Sequence, residues 1–221
     1  MEGFNKWAKA GLKGFITSDM RHFELPDSVG GLSTYNEHNL SIGGQLNKTQ
    51  GSLLHYNVTA ETWLTGEDAG QLKIDATADL NFKLFGDTIQ LAARGFFYRL
   101  NPTFYYRHYH ARHFWWVNDN MDKIIHSRLD GLFSLKRTNT TVRIAVDELK
   151  NYTYYGMSYS VGSDFNRTAN TVNVRQCGDN INLLTLALSQ DFHFGIFNWE
   201  NQITYQKSTM KDVLPVPDLN I

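Results

Sequence analysis

The chain has 221 residues, a formal net charge of −1, 42% hydrophobic and 14% aromatic residues, and only 4 Pro. A near-neutral chain carries no electrostatic footprint for a nucleic acid or another polyanion, and no apolar run reaches the roughly 20 residues that a membrane helix needs. The single cysteine, Cys177, excludes an internal disulfide.

The first residues, Met1-Glu2-Gly3-Phe4-Asn5-Lys6-Trp7, contain no continuous apolar segment and so lack the pattern of a signal peptide. Such a start fits a soluble cytoplasmic protein, and it fits equally an internal piece of a longer secreted chain. Alternation then begins. Ala10, Leu12, Gly14, Ile16 and Ser18 share one side, and Lys9, Gly11, Lys13, Phe15 and Thr17 share the other. This predicts a first strand. Met20 to Leu25 predicts a short second strand, and Pro26-Asp27-Ser28-Val29-Gly30-Gly31 a turn. Leu40, Ile42, Gly44 and Leu46 alternate with Ser41, Gly43 and Gln45 up to a polar turn at Asn47 to Ser52. Leu54, Tyr56, Val58, Ala60, Thr62 and Leu64 alternate with His55, Asn57, Thr59, Glu61 and Trp63, and Gly66 to Gly70 turns the chain.

The clearest stretch follows. Leu72, Ile74, Ala76, Ala78, Leu80, Phe82 and Leu84 are apolar, and Lys73, Asp75, Thr77, Asp79, Asn81 and Lys83 between them are polar. Side chains alternate across a strand, so one face is apolar and the other hydrophilic. At about 3.3 Å per residue the run reaches roughly 40 Å, twice a common soluble strand of ~17–20 Å. A tilted membrane-spanning strand needs only about 9–11 residues.

Gly86-Asp87 is the next turn, and Ile89, Leu91, Ala93, Gly95 and Phe97 alternate with Gln90, Ala92, Arg94, Phe96 and Tyr98 until Asn101-Pro102. Roughly 25 residues without alternation come next, long for a connection. Leu129, Gly131, Phe133 and Leu135 resume the pattern, followed by a turn at Arg137 to Asn139 and then Val142, Ile144 and Val146. Tyr152 to Val161 predicts a Tyr-rich strand, and Gly162 to Asn180 a polar loop with a short strand at Val172 to Val174. Leu184, Leu186, Leu188 and Phe192 form one side of a further strand, Gly195 a turn, and Phe197, Trp199, Ile203 and Tyr205 one side of the last. The fold expected is all-β: an antiparallel up-and-down meander of about ten long strands, forming a transmembrane β-barrel or part of one.

Period alone leaves open which way the apolar face points. The outward direction is favoured by strand length, by small residues on the apolar face (Gly44, Ala60, Ala76, Ala78, Ala93, Gly95, Gly131), and by charges on the other face. Those charges are Glu61, Lys73, Asp75, Asp79, Lys83, Arg94, Arg128, Arg143 and Asp147. Aromatics near strand ends (Tyr98, Tyr152, Tyr154, Tyr155, Trp199, Tyr205) fit interfacial girdles. The alternative is a soluble β-sandwich whose polar face meets bulk water.

Candidate chemistry concentrates between 104 and 118. Tyr105, Tyr106, Arg107, His108, Tyr109, His110, Arg112, His113, Trp115 and Trp116 form an aromatic and basic cluster. Its rings and guanidinium groups suit contact with a sugar or an anion, and the same residues suit a packed structural loop. His108, His110 and His113 lack acidic or Cys partners in a metal-site spacing, so no metal or other cofactor is expected. Asp75 and Asp79 share a face and are expected to be solvated rather than a catalytic pair. Nucleophile-elbow, phosphate-loop and His-Glu-x-x-His patterns are absent from the sequence.

Four segments carry a resemblance. They are Phe23-Glu24-Leu25-Pro26-Asp27-Ser28-Val29-Gly30-Gly31-Leu32, Leu84-Phe85-Gly86-Asp87-Thr88, Tyr105 through Trp116, and Lys150-Asn151-Tyr152-Thr153-Tyr154. With Thr204-Tyr205-Gln206-Lys207-Ser208 and Asp212 to Leu219, they make the chain resemble the putative porin family of Bacteroidota over nearly its whole length. The resemblance implies a barrel in the outer membrane of a Gram-negative bacterium, contacting the lipid bilayer, passing small polar solutes by passive diffusion, and having no enzymatic activity. Glu61, Lys73, Asp75, Asp79, Lys83, Arg94, Arg143 and Asp147 would then line the pore, and their mixed charge predicts weak ion selectivity. Family members are longer and begin with a signal peptide. Residues 1–221 are therefore expected to be a single β-barrel region, part of a longer barrel. Its edges would be completed by further segments of the parent chain or by another copy, or the sheet would curl shut on itself. Several Asn-x-Ser/Thr triplets, among them Asn39 and Asn57, are expected to be compositional in a bacterial chain. Two rival functions remain: a soluble carbohydrate-binding sandwich using Tyr105, Tyr109, Trp115 and Trp116, and a non-conducting structural outer-membrane barrel.

Overall fold

A computed structural model describes residues 10–50, 53–84 and 86–221. The Met1 to Trp7 start, Lys9, the Gly51-Ser52 part of one turn, and Phe85 lie outside the described residues. The strands are β1 (Gly11–Pro26), β2 (Leu32–Lys48), β3 (Leu54–Thr65), β4 (Leu72–Leu84) and β5 (Asp87–Leu100). An insert follows, with a one-turn helix α1 (Phe104–Arg107) and the short strands β6 (His108–His110) and β7 (Trp115–Val117). Then come β8 (Ile124–Leu135), β9 (Thr140–Lys150), β10 (Tyr152–Val161), β11 (Arg167–Cys177), β12 (Ile181–Phe194), β13 (Phe197–Ser208) and β14 (Leu219–Asn220).

Ten strands make one antiparallel sheet in the order β1-β2-β3-β4-β5-β8-β9-β12-β13-β14. β6–β7 and β10–β11 are separate two-stranded hairpins. The sheet is open: among the described residues β1 and the β13–β14 side do not pair with each other. This is the expected all-β meander, a barrel or part of one.

The register fixes the faces. Glu61 lies opposite Lys73, which lies opposite Tyr98. Arg94 lies opposite Asp130, and Arg128 opposite Asp147. Successive pairs of this kind put every predicted lining residue on one face of the sheet. The other face carries Ile16, Leu129 and Phe197, which are 72%, 68% and 71% exposed. Asp130 and Asp147 on the charged face are buried. A soluble sandwich requires the opposite arrangement, with the apolar face covered by a second sheet; here it is the open face, and the sandwich reading is corrected.

The apolar band has a measurable height. On β5 it runs from Ile89 to Phe97 before Arg99 interrupts it. That is roughly 27 Å along the strand, or about 20 Å of height at the ~35–45° strand tilt of outer-membrane barrels, whose lipid-facing band is ~25 Å tall. The two ends of the sheet also differ. One end holds the short connections β4–β5, β8–β9 and β12–β13. The other holds the insert and the β10–β11 hairpin, the short-turn and long-loop asymmetry of such barrels.

Above the band the alternation inverts. On β1 the charged-face positions become aromatic or apolar at Phe23 and Leu25, and the opposite positions become polar at His22 and Glu24. Tyr35 on β2, opposite Phe23, follows the same inversion. The inversion accounts for several departures from expectation. The described part of the first predicted strand, from Gly11 to Ser18, and Met20–Leu25 are one strand, because Asp19 pairs with Asn39 in an unbroken ladder. β2 begins at Leu32 rather than Leu40. Gly162 to Asn180 is not a loop, since β11 pairs with β10 from Arg167 to Cys177. Two girdle assignments also change. Tyr98 points to the charged face, where its hydroxyl donates to Asp75 Oδ1 at 2.7 Å, and Tyr155 packs on the insert. Trp199 and Tyr205 do lie on the apolar face, opposite Phe192 and Leu186.

Candidate functional site

Pro102 ends β5, since proline has no ladder donor. The chain then turns once as α1, with the Tyr106 and Arg107 amides donating to the Thr103 carbonyl at 2.9 and 3.3 Å. β6 and β7 pair His108 with Val117, Tyr109 with Trp116, and His110 with Trp115. The His110 and Trp115 rings stack at 3.7 Å, and Tyr109 and Trp116 at 4.8 Å. Ala111 N–H to the Phe114 carbonyl, 2.9 Å, closes the tip.

This insert leaves β5 and reaches across the charged face to β1 and β2. Phe104 stacks flat on Phe23 at 3.7 Å and meets Tyr35 edge-on at 5.3 Å. The Pro26 carbonyl lies 3.0 Å from His110 Nδ1. Arg107, 6% exposed, donates through Nη2 to Glu37 Oε1 and through Nη1 to Glu67 Oε1, both at 2.6 Å. Its Nε donates to the Pro102 carbonyl at 3.2 Å. Glu37, 7% exposed, also accepts from Arg21 Nη1 at 3.2 Å. Arg21 Nη2 reaches Asp68 Oδ2 at 2.7 Å, and Gln71 Nε2 donates to Asp68 Oδ1 at 2.5 Å. Asp68 is held by its own amide, which donates to Asn39 Oδ1 at 2.9 Å. Gly66 makes this turn feasible: its φ is +89°, and a Cβ there would run into the His38 carbonyl oxygen.

The insert's other side meets the tall β10–β11 hairpin. Tyr155 packs on Tyr106 at 4.8 Å and on Trp116 at 5.9 Å. Gln176 takes the Asp122 amide and donates back to its carbonyl, at 3.1 and 2.8 Å. Asn151 Nδ2 donates to the Lys123 carbonyl at 3.0 Å. The insert therefore bridges β1–β2 and β10–β11 at the long-loop end.

Burial sets its ionisation. Desolvation lowers the His108 pKa below its ordinary value; Asp119, 3.2 Å from Nε2, pulls the other way, while Arg107 and His110 add to the lowering. Burial likewise lowers the Lys123 ammonium and raises the Tyr106 phenol. His108 Nδ1 and His110 Nε2 are buried without a hydrogen-bond partner. Arg112 and His113 sit exposed at the tip, as does Trp115; Tyr105 is exposed over α1. The three histidines thus do not converge, and among the described residues no three His, Cys, Asp or Glu side chains form a metal-sized group.

Below the insert, the predicted lining residues occur in separate pairs. Glu61 accepts from Ser41 Oγ at 2.5 Å. Asp79 lies 2.9 Å from His55 Nδ1. Arg94 Nη2 lies 3.8 Å from Asp75 Oδ1. Asp75 and Asp79 therefore have different partners and form no carboxylate pair. Arg143 pairs with Asp130, which also takes Arg128 at 3.3 Å. Asp147 lies 2.8 Å from His126 Nε2 and 3.2 Å from Arg128 Nη1. Lys73 Nζ sits 5.0 Å over the Trp63 ring, and Lys83 is exposed. Sequence reasoning missed the anchor itself: Arg21, Glu37, Glu67 and Asp68. Glu37 falls in the stretch not read as strand, and no motif marks it as the partner of a residue so distant in the chain.

The sequence matches, over residues 1–221, the model of a family described as "Putative porin". No curated protein matches it, and no solved structure does.

Proposed function

The chain belongs to the family described as "Putative porin", and from that we propose that it forms the wall of a passive diffusion path for small polar solutes across the outer membrane of a Gram-negative bacterium. The exposed apolar face would contact the lipid bilayer, and the charged face would meet water. The insert would narrow the path at its long-loop mouth. No enzymatic step or cofactor enters this reading. The observation that carries it is the division of one continuous sheet into an open apolar face and a charged face over which the insert folds.

The lining would be balanced in charge, because Glu61, Asp75, Asp79 and Asp147 stand against Lys73, Lys83, Arg94 and Arg143. Matched charge lowers discrimination between cations and anions. The experiment is single-channel recording from the full-length protein in a planar bilayer. Ohmic conductance steps with weak ion selectivity support the reading. A folded, membrane-inserted protein with no conductance overturns it in favour of a structural barrel.

A further inference from the structure

Between α1 and the charged face lies a cavity of about 330 Å³, within the range of small-molecule sites. Its two walls differ in kind. Phe23, Phe104 and Tyr105 supply aromatic surface on one side. Arg21, Asp68, Gln71 and Lys73 supply polar groups on the other, with the Asp68 carboxylate already taken up by Arg21 and Gln71. Tyr105 meets Phe23 at 6.3 Å and Phe104 at 5.5 Å at near right angles and is still 51% exposed, so about half of its surface is open to a flat, weakly polar ring.

The cations in the cavity are not equivalent. Arg107 is committed to Glu37 and Glu67. Arg21 is committed to Asp19, Glu37 and Asp68. Lys73 has no carboxylate within ion-pair distance among the described residues, although Glu61 is its cross-strand neighbour. Its ammonium rests over Trp63 instead. An ammonium held by a ring face keeps its hydrogen-bond donors for another acceptor.

We infer that this cavity binds a sugar unit carrying a carboxylate, with the ring against Tyr105 and the carboxylate on Lys73. The Thr103 hydroxyl lies along the cavity for the sugar hydroxyls, whereas the Gln71 amide nitrogen is held by Asp68. A sugar suits both walls, because its C–H face is apolar and its rim is hydroxylated. A simple carboxylate would leave the aromatic wall unused, and a neutral sugar would leave Lys73 unpaired. The inference rests on the reading of the charged face as a solute path. It deepens that reading, since a weak site at the mouth would favour one solute class among those that diffuse.

The test is titration of the full chain, folded in detergent, with glucuronate, glucose and acetate, followed by calorimetry and by the fluorescence of the Trp63 environment. Glucuronate is expected to bind saturably, and about tenfold more tightly than either of the others. Lys73→Met, which keeps the stem over Trp63, is expected to lose that tenfold preference, and Lys73→Arg to keep most of it. Unchanged far-UV circular dichroism shows that a variant has folded. No saturable glucuronate binding, equal binding of glucose or acetate, or an unaffected Lys73→Met overturns the inference. Because binding is measured without a bilayer, it can fail while conductance persists, or persist while conductance fails.

Discussion

Arg107 and Glu37 lie 70 residues apart in the chain and 2.6 Å apart in space. Both are almost fully buried, one on the insert and the other on β2. Removing Arg107 leaves buried Glu37 with only its longer contact to Arg21, 3.2 Å, so the loss is expected to be below the ~3–5 kcal/mol of a wholly unpaired buried charge. Arg107→Met is therefore expected to undock the insert rather than unfold the sheet. Hydrogen exchange at residues 104–117 should accelerate while β3 to β5 keep their protection. Glu37→Gln combined with Arg107→Met should be milder than the sum of the two single changes. Additive effects would mean that the two residues do not interact.

Phe104 is the apolar counterpart of that anchor, buried between Phe23 and Tyr35. Phe104→Ala is expected to cost about 3–5 kcal/mol of docking stability. Limited proteolysis should then cut within residues 111–114 at the tip far faster than in the parent. Equal cutting rates would show that the insert is not held by this ring.

Acid should loosen the same contact. His108 is buried and its pKa is lowered, so the docked state favours the neutral ring. The undocked ring titrates near 6.5. Below that pH the undocked state binds more protons, so docking stability is present at neutral pH and falls as pH drops through about 6.5 toward the docked value. Exchange of the insert amides, corrected for intrinsic rates, should rise between about pH 7 and pH 5, and His108→Gln should flatten the profile. A parent profile already flat over that range would exclude His108 as its cause.

The two faces should respond differently to a longer polar side chain. Ala93 lies in the middle of the apolar band, opposite Ala78 and Gly131. Ala93→Arg is expected to cost about 2–4 kcal/mol when folding is measured in lipid vesicles. Thr77→Gln, on the charged face of β4 opposite Arg94, should cost well under about 1 kcal/mol, the usual size of a change at a solvated position. Equal costs would argue against a lipid-facing band.

Much of this fold is legible in the sequence because a sheet with one apolar and one polar face imposes a period of two along every strand. Leu72 to Leu84 carries that signal without a single exception, and the structure returns it as β4 with the same bounds. The signal fails above the apolar band. At Phe23 and Tyr35 the charged face turns aromatic to receive the insert, so alternation continues with its sense reversed and reads as a break. The candidate site was legible as a composition and not as a geometry. Ten residues from Tyr105 to Trp116 stood out, but which of them face inward depends on β1 and β2. Arg107, His108, His110 and Trp116 are packed inside, while Arg112, His113 and Trp115 are outside. No local pattern distinguishes the two sets.

The most direct test of the two-faced sheet is a cysteine scan along β4 in a Cys177→Ser background, with the protein in lipid vesicles. Cysteines replacing Lys73, Asp75, Thr77 and Asp79 should react with a small water-soluble maleimide. Those replacing Ile74, Ala76, Ala78 and Leu80 should resist it, and a fluorophore attached there before reconstitution should be quenched by a lipid-borne quencher. The reverse alternation, or uniform reactivity at all eight positions, would contradict the account.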